Sequence, residues 1–239
     1  MEHLTTVSED RTTTAPAVLH EQGGGLVSPT WLQRLRQSRA GVLLSSFPSL
    51  VFLLALAFYL ALTTLHLWLA GIPGSQPTPS DAPPLADWSS GFAASWARFD
   101  SAFFLHIAQQ GYTDQGLGAF FPLYPLLIRL LAWPLGGHFT LAALLVSWLG
   151  AWGSYLWFFR LAQREYGEPV ARFALLCLVC SPVSFFSFAP YSESLFLLLS
   201  LGAIERARAG RLWQASGLAA LGMLTRPTGI LLLLPLAWE

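Results

Sequence analysis

The chain has 239 residues, of which 54% are hydrophobic and only 11% charged, with a mean hydropathy of +0.52. That balance excludes an ordinary soluble domain. Its 13 basic residues are all arginine and are cancelled by 13 acidic ones, so there is no basic excess to neutralise phosphates, which argues against nucleic-acid binding. Ten tryptophans and seventeen phenylalanines suit a protein whose surface faces lipid.

Residues 1–30 are rich in Thr, Ser, Glu and Gly and lack apolar periodicity, which predicts a disordered tail too polar for a cleaved signal peptide. A membrane domain follows over 40–239. Arg34, Arg36 and Arg39 precede an apolar run over 42–70, long enough to cross a bilayer, for which roughly 20 residues are needed. The arginine flank predicts a cytoplasmic N-terminus. Gly, Pro, Ser and Asp then dominate to Asp87 and open a first outer loop, 71–138. Inside it, Phe92, Trp96, Phe99, Phe103 and Ile107 recur at three- and four-residue steps, predicting an interfacial helix over 92–110 with an aromatic face. The segment 120–135 is apolar but carries Pro122, Pro125, Arg129 and Pro134, and is read as a short or re-entrant piece.

Four more apolar stretches follow at 139–159, 170–189, 191–204 and 212–238. The fold class predicted is all-α: a polytopic integral membrane protein of about five or six transmembrane helices. If segment 120–135 stays on the outer side, Arg160, Arg164 and Arg172 share one inner loop and Arg206, Arg208 and Arg211 another, in agreement with the flank of the first helix. If the segment crosses, both loops conflict with that flank. Cys177 and Cys180 fall three apart inside an apolar run, and no histidine pair accompanies them, so they are read as helix filler. No metal-ligand spacing is found.

Three charged side chains stand out. Asp100 lies beside the aromatic face, where a carboxylate can serve as a proton acceptor or simply be a solvated loop acid; Arg98, two residues away, does not share its helix face. Glu193 follows Pro190 and Tyr191 at the start of an apolar stretch, either as a favourable charge at a helix N-terminus or as a carboxylate that orients a ligand. Arg226 stands inside the last stretch, before Pro227 and Gly229, which break a helix and free backbone donors. It can snorkel to an interface, or it can bind an anion such as phosphate. Asp114, among Gly111, Gly116 and Gly118, reads as turn chemistry. Two acids and an embedded arginine on one outer face suggest glycosyl transfer from a lipid-linked phosphosugar, whose single phosphate does not oblige a metal.

In order along the chain, Arg98-Phe99-Asp100 to Phe104, Ile107-Ala108, Gly111-Tyr112, Ala119-Phe120-Phe121-Pro122, Pro125-Leu126, Ser181-Pro182, Tyr191-Ser192-Glu193-Ser194-Leu195-Phe196 and Thr225-Arg226 with Gly229 resemble the GPI mannosyltransferase family of the PIG-V type, within the C-type fold of polytopic glycosyltransferases. The resemblance covers roughly 96–230. It departs at Phe99, where the family has tryptophan, and at Pro227-Thr228. It implies an outward-facing or lumenal site, no cofactor, and a polyprenyl- or dolichyl-phosphate mannose donor as substrate. It also implies that Asp100 is the catalytic carboxylate. Arg226 is then expected to stabilise the departing phosphate and Glu193, with Tyr191, to hold the sugar. Phe103, Phe120 and Tyr124 are expected to guide the lipid or stack on the sugar. Such enzymes continue through further membrane helices, so the chain is expected to be the front part of a longer enzyme. The absence of lysine points to a GC-rich bacterial source and a plasma-membrane setting, with the endoplasmic reticulum membrane as the eukaryotic counterpart. The acceptor is left open. The competing class is a non-enzymatic membrane protein, such as a transporter or a glycosylation-complex subunit; the lack of an inverted internal repeat lowers the transporter reading.

Overall fold

A computed structural model describes residues 46–70, 95–96 and 99–238; the tail over 1–30, the arginine flank, the stretch 71–94 and Arg98 lie outside the described residues. Every regular element among the described residues is helical. In chain order these are α1 (Phe47–Ala70), α2 (Asp100–Gln110), α3 (Leu123–Ala132), α4 (Phe139–Tyr166), α5 (Glu168–Cys180), α6 (Glu193–Arg208), α7 (Leu212–Met223) and α8 (Leu233–Trp238). Short 3-10 turns at Gln115–Ala119, Pro182–Ser187 and Pro227–Leu232 lie between them.

Among the described residues, two helices are long and apolar enough to cross a membrane. α1 has 24 residues and α4 has 28, and at about 1.5 Å per residue each exceeds a hydrocarbon core of about 30 Å. The α1 window has a mean hydropathy of 2.2 and only 17% of it is buried within the protein. Leu50, Leu54, Phe58, Leu62 and Trp68 therefore point outward, and so large an unbroken apolar face is matched by lipid. α4 is the central helix, packed against α1, α2, α3, α5 and α6. Its contact with α6 is close because Gly150 and Gly153 face that helix. A Cβ on Gly150 would stand 3.0 Å from the backbone of Ser194 and Leu195, and one on Gly153 2.7 Å from Leu198 Cδ1. Small residues at a crossing are how membrane helices gain contact area.

The remaining helices from α2 to α7 run 10 to 16 residues, and all but α6, which runs on to Arg208, are shorter than the apolar stretches that predicted them. The stretch 170–189 divides where Ser181 turns extended ahead of Pro182. The stretch 212–238 divides at Thr225 and Arg226. α3, with 10 residues, rises about 15 Å, which fits the short piece expected at 120–135.

The helix expected over 92–110 also changes. Residues 95 and 96 are helical, but α2 begins only at Asp100, because Phe99 has φ 49°, a left-handed value that interrupts the run. The expected aromatic stripe is divided as well. Trp96 is buried against Phe185 at 5.9 Å, Ile107 is buried, and Phe99 is exposed. Phe104, Leu105 and Ala108 pack into a core with Tyr124, Ile128, Ala143 and Leu195. The apolar side of α2 is thus spent on α3 and α4, and is not left free for a membrane surface.

The bundle has two chemically different ends. At one, Arg164 pairs with Glu205 at 2.9 Å, Arg208 with Glu165 and Arg172 with Glu168. Arg172 also lies 5.0 Å over the Phe47 ring, so the start of α1 shares that end. Glu193 begins α6 and Glu205 stands near its other end, which separates them by about 18 Å along the axis.

Candidate active site

The site is built at the end of the bundle where α2 and α6 begin and α7 breaks off. Its first component is the start of α2. Phe99, at φ 49° and ψ −122° and largely exposed, delivers the chain into α2 with Asp100 as the first helical residue. A non-glycine residue in this region costs of order 1–3 kcal/mol and persists where neighbours over-determine it. Here the neighbours are Ser101, Ala102, Phe104 and Leu105, all buried directly behind. Asp100 itself is exposed, at a helix N-terminus whose dipole favours a negative charge.

The second component is the turn that leads into α6. Tyr191 is buried, and its hydroxyl shares a hydrogen bond with the Ser101 hydroxyl. Burial pushes its phenol above the ordinary value; the nearby carboxylates of Asp100 and Glu193 add to the rise and the Ser101 hydrogen bond opposes it. Through its contact with Ser101, Tyr191 joins the start of α2 to the turn that leads into α6. Glu193 is the first residue of α6. Its Oε2 is buried and has no hydrogen-bond partner among the described residues.

The third component is the break after α7. Thr225 closes the helix by donating its hydroxyl to the Gly222 carbonyl at 2.6 Å, and Arg226 is then extended at φ −153° and ψ 148°. Pro227 opens the following 3-10 turn. Gly229 is required by close approach: a Cβ there would lie 2.6 Å from Met223 Cα. The turn thus folds back on the end of α7 and throws Arg226 toward Glu193, with Nη1 2.9 Å from Oε1. Both side chains are about one-third exposed, so the pair sits at a lip and not in a sealed core. Arginine carries five N–H donors, so the contact with Glu193 leaves capacity for a second anion.

The structure brings Asp100, Glu193 and Tyr191 together, and Glu193 with Arg226. Phe103 and Phe120 stack at 5.0 Å beside the start of α3, partly exposed, and Tyr112 secures that loop through its hydroxyl to the Phe120 carbonyl at 2.7 Å. Tyr124 is a correction. It is fully buried, its ring packs edge-on against Phe104 at 5.0 Å, and its hydroxyl reaches the Ser147 hydroxyl at 2.7 Å. A side chain so enclosed has no open face for a substrate, and Tyr191 is buried as well. The sequence reading missed Ser101 and Ser147. Their signal is faint, a hydroxyl within an apolar helix, which becomes informative only once a partner is known. Asp114 lies in the turn after α2, next to Thr113 and His106, whose polar atoms are linked at 2.9 Å.

Comparison with known proteins bears on this geometry. The family model described as mannosyltransferase (PIG-V) matches residues 44–235. The human protein named GPI alpha-1,6-mannosyltransferase 2 is 31% identical over 150 residues, covering 59% of this chain and 30% of its own length. The Cricetulus griseus protein of the same name matches equally, and the Rattus norvegicus protein is 33% identical over 144 residues, 56% of this chain and 29% of its own. The chain thus spans about 30% of the length of these relatives. No solved structure matches. A match that takes in α1, the Asp100 turn, the start of α6 and the Arg226 break in one alignment shows that the chain belongs to the mannosyltransferase (PIG-V) family.

Proposed function

We propose that this chain carries the catalytic end of a membrane mannosyltransferase that moves mannose from a polyprenyl- or dolichyl-phosphate donor to an acceptor hydroxyl. The observation that carries the reading is the Glu193–Arg226 pair at the break of α7, joined through Tyr191 to Asp100 at the start of α2. In the reaction, Asp100 takes the proton from the acceptor hydroxyl while that oxygen bonds to the anomeric carbon of mannose. The bond from that carbon to the lipid phosphate oxygen breaks, its electron pair leaves with the phosphate, and the anomeric centre inverts. Arg226 offsets the charge that grows on the phosphate. Glu193, its side chain about one-third exposed, holds Arg226 in place and faces the sugar hydroxyls, while the partly exposed Phe103–Phe120 stack supplies an apolar wall beside the start of α3.

The end of the bundle that holds Asp100 and Glu193 is read as the outer or lumenal face and the arginine-rich end as the cytoplasmic one, in keeping with the positive-inside rule. This orientation gives a cytoplasmic N-terminus. It also goes with about five or six membrane-crossing or membrane-embedded segments, the short ones completed by their neighbours. The setting is a bacterial plasma membrane or, in a eukaryote, the endoplasmic reticulum. A charge pair at a helix end, and not midway along a bundle, favours this reading over a transporter.

The test is transfer from radiolabelled polyprenyl-phosphate mannose in membranes that contain the chain, with Arg226→Ala beside it. Arg226→Ala is expected to lower the rate by about a hundredfold or more while the protein still inserts. Transfer at the unaltered rate in Arg226→Ala would overturn the role given to the α7 break.

A further inference from the structure

The first turn of α3 reaches both halves of the Glu193–Arg226 pair. On one side, the Leu123 amide donates to the Leu224 carbonyl at 2.9 Å, two residues before Arg226. On the other, the Tyr124 hydroxyl meets the Ser147 hydroxyl at 2.7 Å, and Ser147 donates to the Tyr191 carbonyl at 3.2 Å, two residues before Glu193. Each hydroxyl has one proton: that of Ser147 goes to the Tyr191 carbonyl, and that of Tyr124 is shared between the Ser147 oxygen at 2.7 Å and the Ala143 carbonyl at 3.2 Å.

A serine inside a helix ordinarily returns its proton to the carbonyl four residues back, which for Ser147 is that of Ala143. The Tyr124 hydroxyl occupies that carbonyl at 3.2 Å, leaving the serine proton for the neighbouring turn. Tyr124 and Ser147 are both fully buried, so water cannot substitute for either link.

We propose that Tyr124 and Ser147 are positioning residues, a buried relay that holds the Tyr191 turn, and through it Glu193, in register with Arg226. The proposal rests on the reading of that pair as the donor site, and it gives Tyr124 a role in place of substrate contact.

The experiment compares Tyr124→Phe and Ser147→Ala, each the loss of one hydroxyl, with the unaltered full chain in detergent or nanodiscs. Amide hydrogen exchange over residues 190–195 is expected to quicken about tenfold or more in both, with α1 unchanged. In mannose transfer, kcat is expected to fall about tenfold with the donor KM within about twofold, because a misplaced group weakens the transition state more than donor binding. The double variant is expected to lose no more than either single one, as links of one chain do. Unchanged exchange at the Tyr191 turn in both variants, or an unaltered kcat in both, would overturn the relay. Normal transfer by Arg226→Ala is a separate result that would remove the donor-site reading, and the exchange rates judge the relay by themselves.

Discussion

At the scale of single residues, charge in an apolar chain carries most of the information. Glu193 and Arg226 are visible as candidates because each stands next to a helix-starting or helix-breaking signal, and Asp100 because it lies beside an aromatic face; a charge near lipid is costly enough to need a reason. Tyr191 couples two of them, and its phenol lies above the ordinary value of 10.0 because it is buried beside Asp100 and Glu193. The folded state keeps that proton longer than the unfolded chain does. The stabilising contribution is therefore complete below about pH 10 and is lost as pH rises beyond it. Thermal melting in detergent is expected to drop with alkaline pH in the unaltered protein and to drop less steeply in Tyr191→Phe; equal slopes would remove this residue from the alkaline transition. Arg226→Lys keeps a charge but loses the planar fork, and kcat is expected to fall about tenfold to a hundredfold, measured as transfer rate at saturating donor. What the sequence could not tell apart was Tyr124 from Phe103. Both are aromatic residues at the edge of apolar segments, and only the packing of α3 on α4 decides that Tyr124 is enclosed while Phe103 stays partly exposed.

At the scale of elements, the broken last stretch was legible from Pro227 and Gly229, whereas the break before α2 was not. Three- and four-residue periodicity runs through Phe99 undisturbed because side-chain spacing does not report φ, and the backbone reversal at Phe99 is set by the turn and its buried neighbours. Glycine at 229 has a direct consequence. The methyl of Gly229→Ala would press on the backbone of Met223 at 2.6 Å, so a loss of about 1–3 kcal/mol is expected. Arg226 should move with the turn, and transfer should fall along with the melting temperature. Gly150→Ala meets backbone at 3.0 Å at the start of α6 and should act on Glu193 in the same sense. A melting temperature unchanged in both variants would mean that these approaches are looser than the geometry requires.

At the scale of the whole molecule, the two ends of the bundle divide the labour. The arginine-rich end is satisfied internally, by Glu165, Glu168 and Glu205 and by the Trp157 ring, which suits anchorage. The opposite end presents Asp100 and the lip pair. Composition and the positive-inside rule made this division readable, while helix ends, and hence the number of crossings, depend on packing that hydropathy does not encode. The division is checked by cysteine labelling in a background with Cys177 and Cys180 replaced, both of which are exposed on α5. In sealed vesicles, Asp114→Cys and Arg211→Cys are expected to react with an impermeant reagent from opposite sides; labelling from the same side would overturn the orientation.

The measurement closest to the central claim is single-turnover transfer from polyprenyl-phosphate mannose by the unaltered chain and by Asp100→Asn, with donor binding measured on the same preparations. The account predicts unchanged donor affinity and a rate lowered by about a hundredfold to ten-thousandfold, the range expected when a general base is removed. A full rate in Asp100→Asn, with donor still bound, would contradict it.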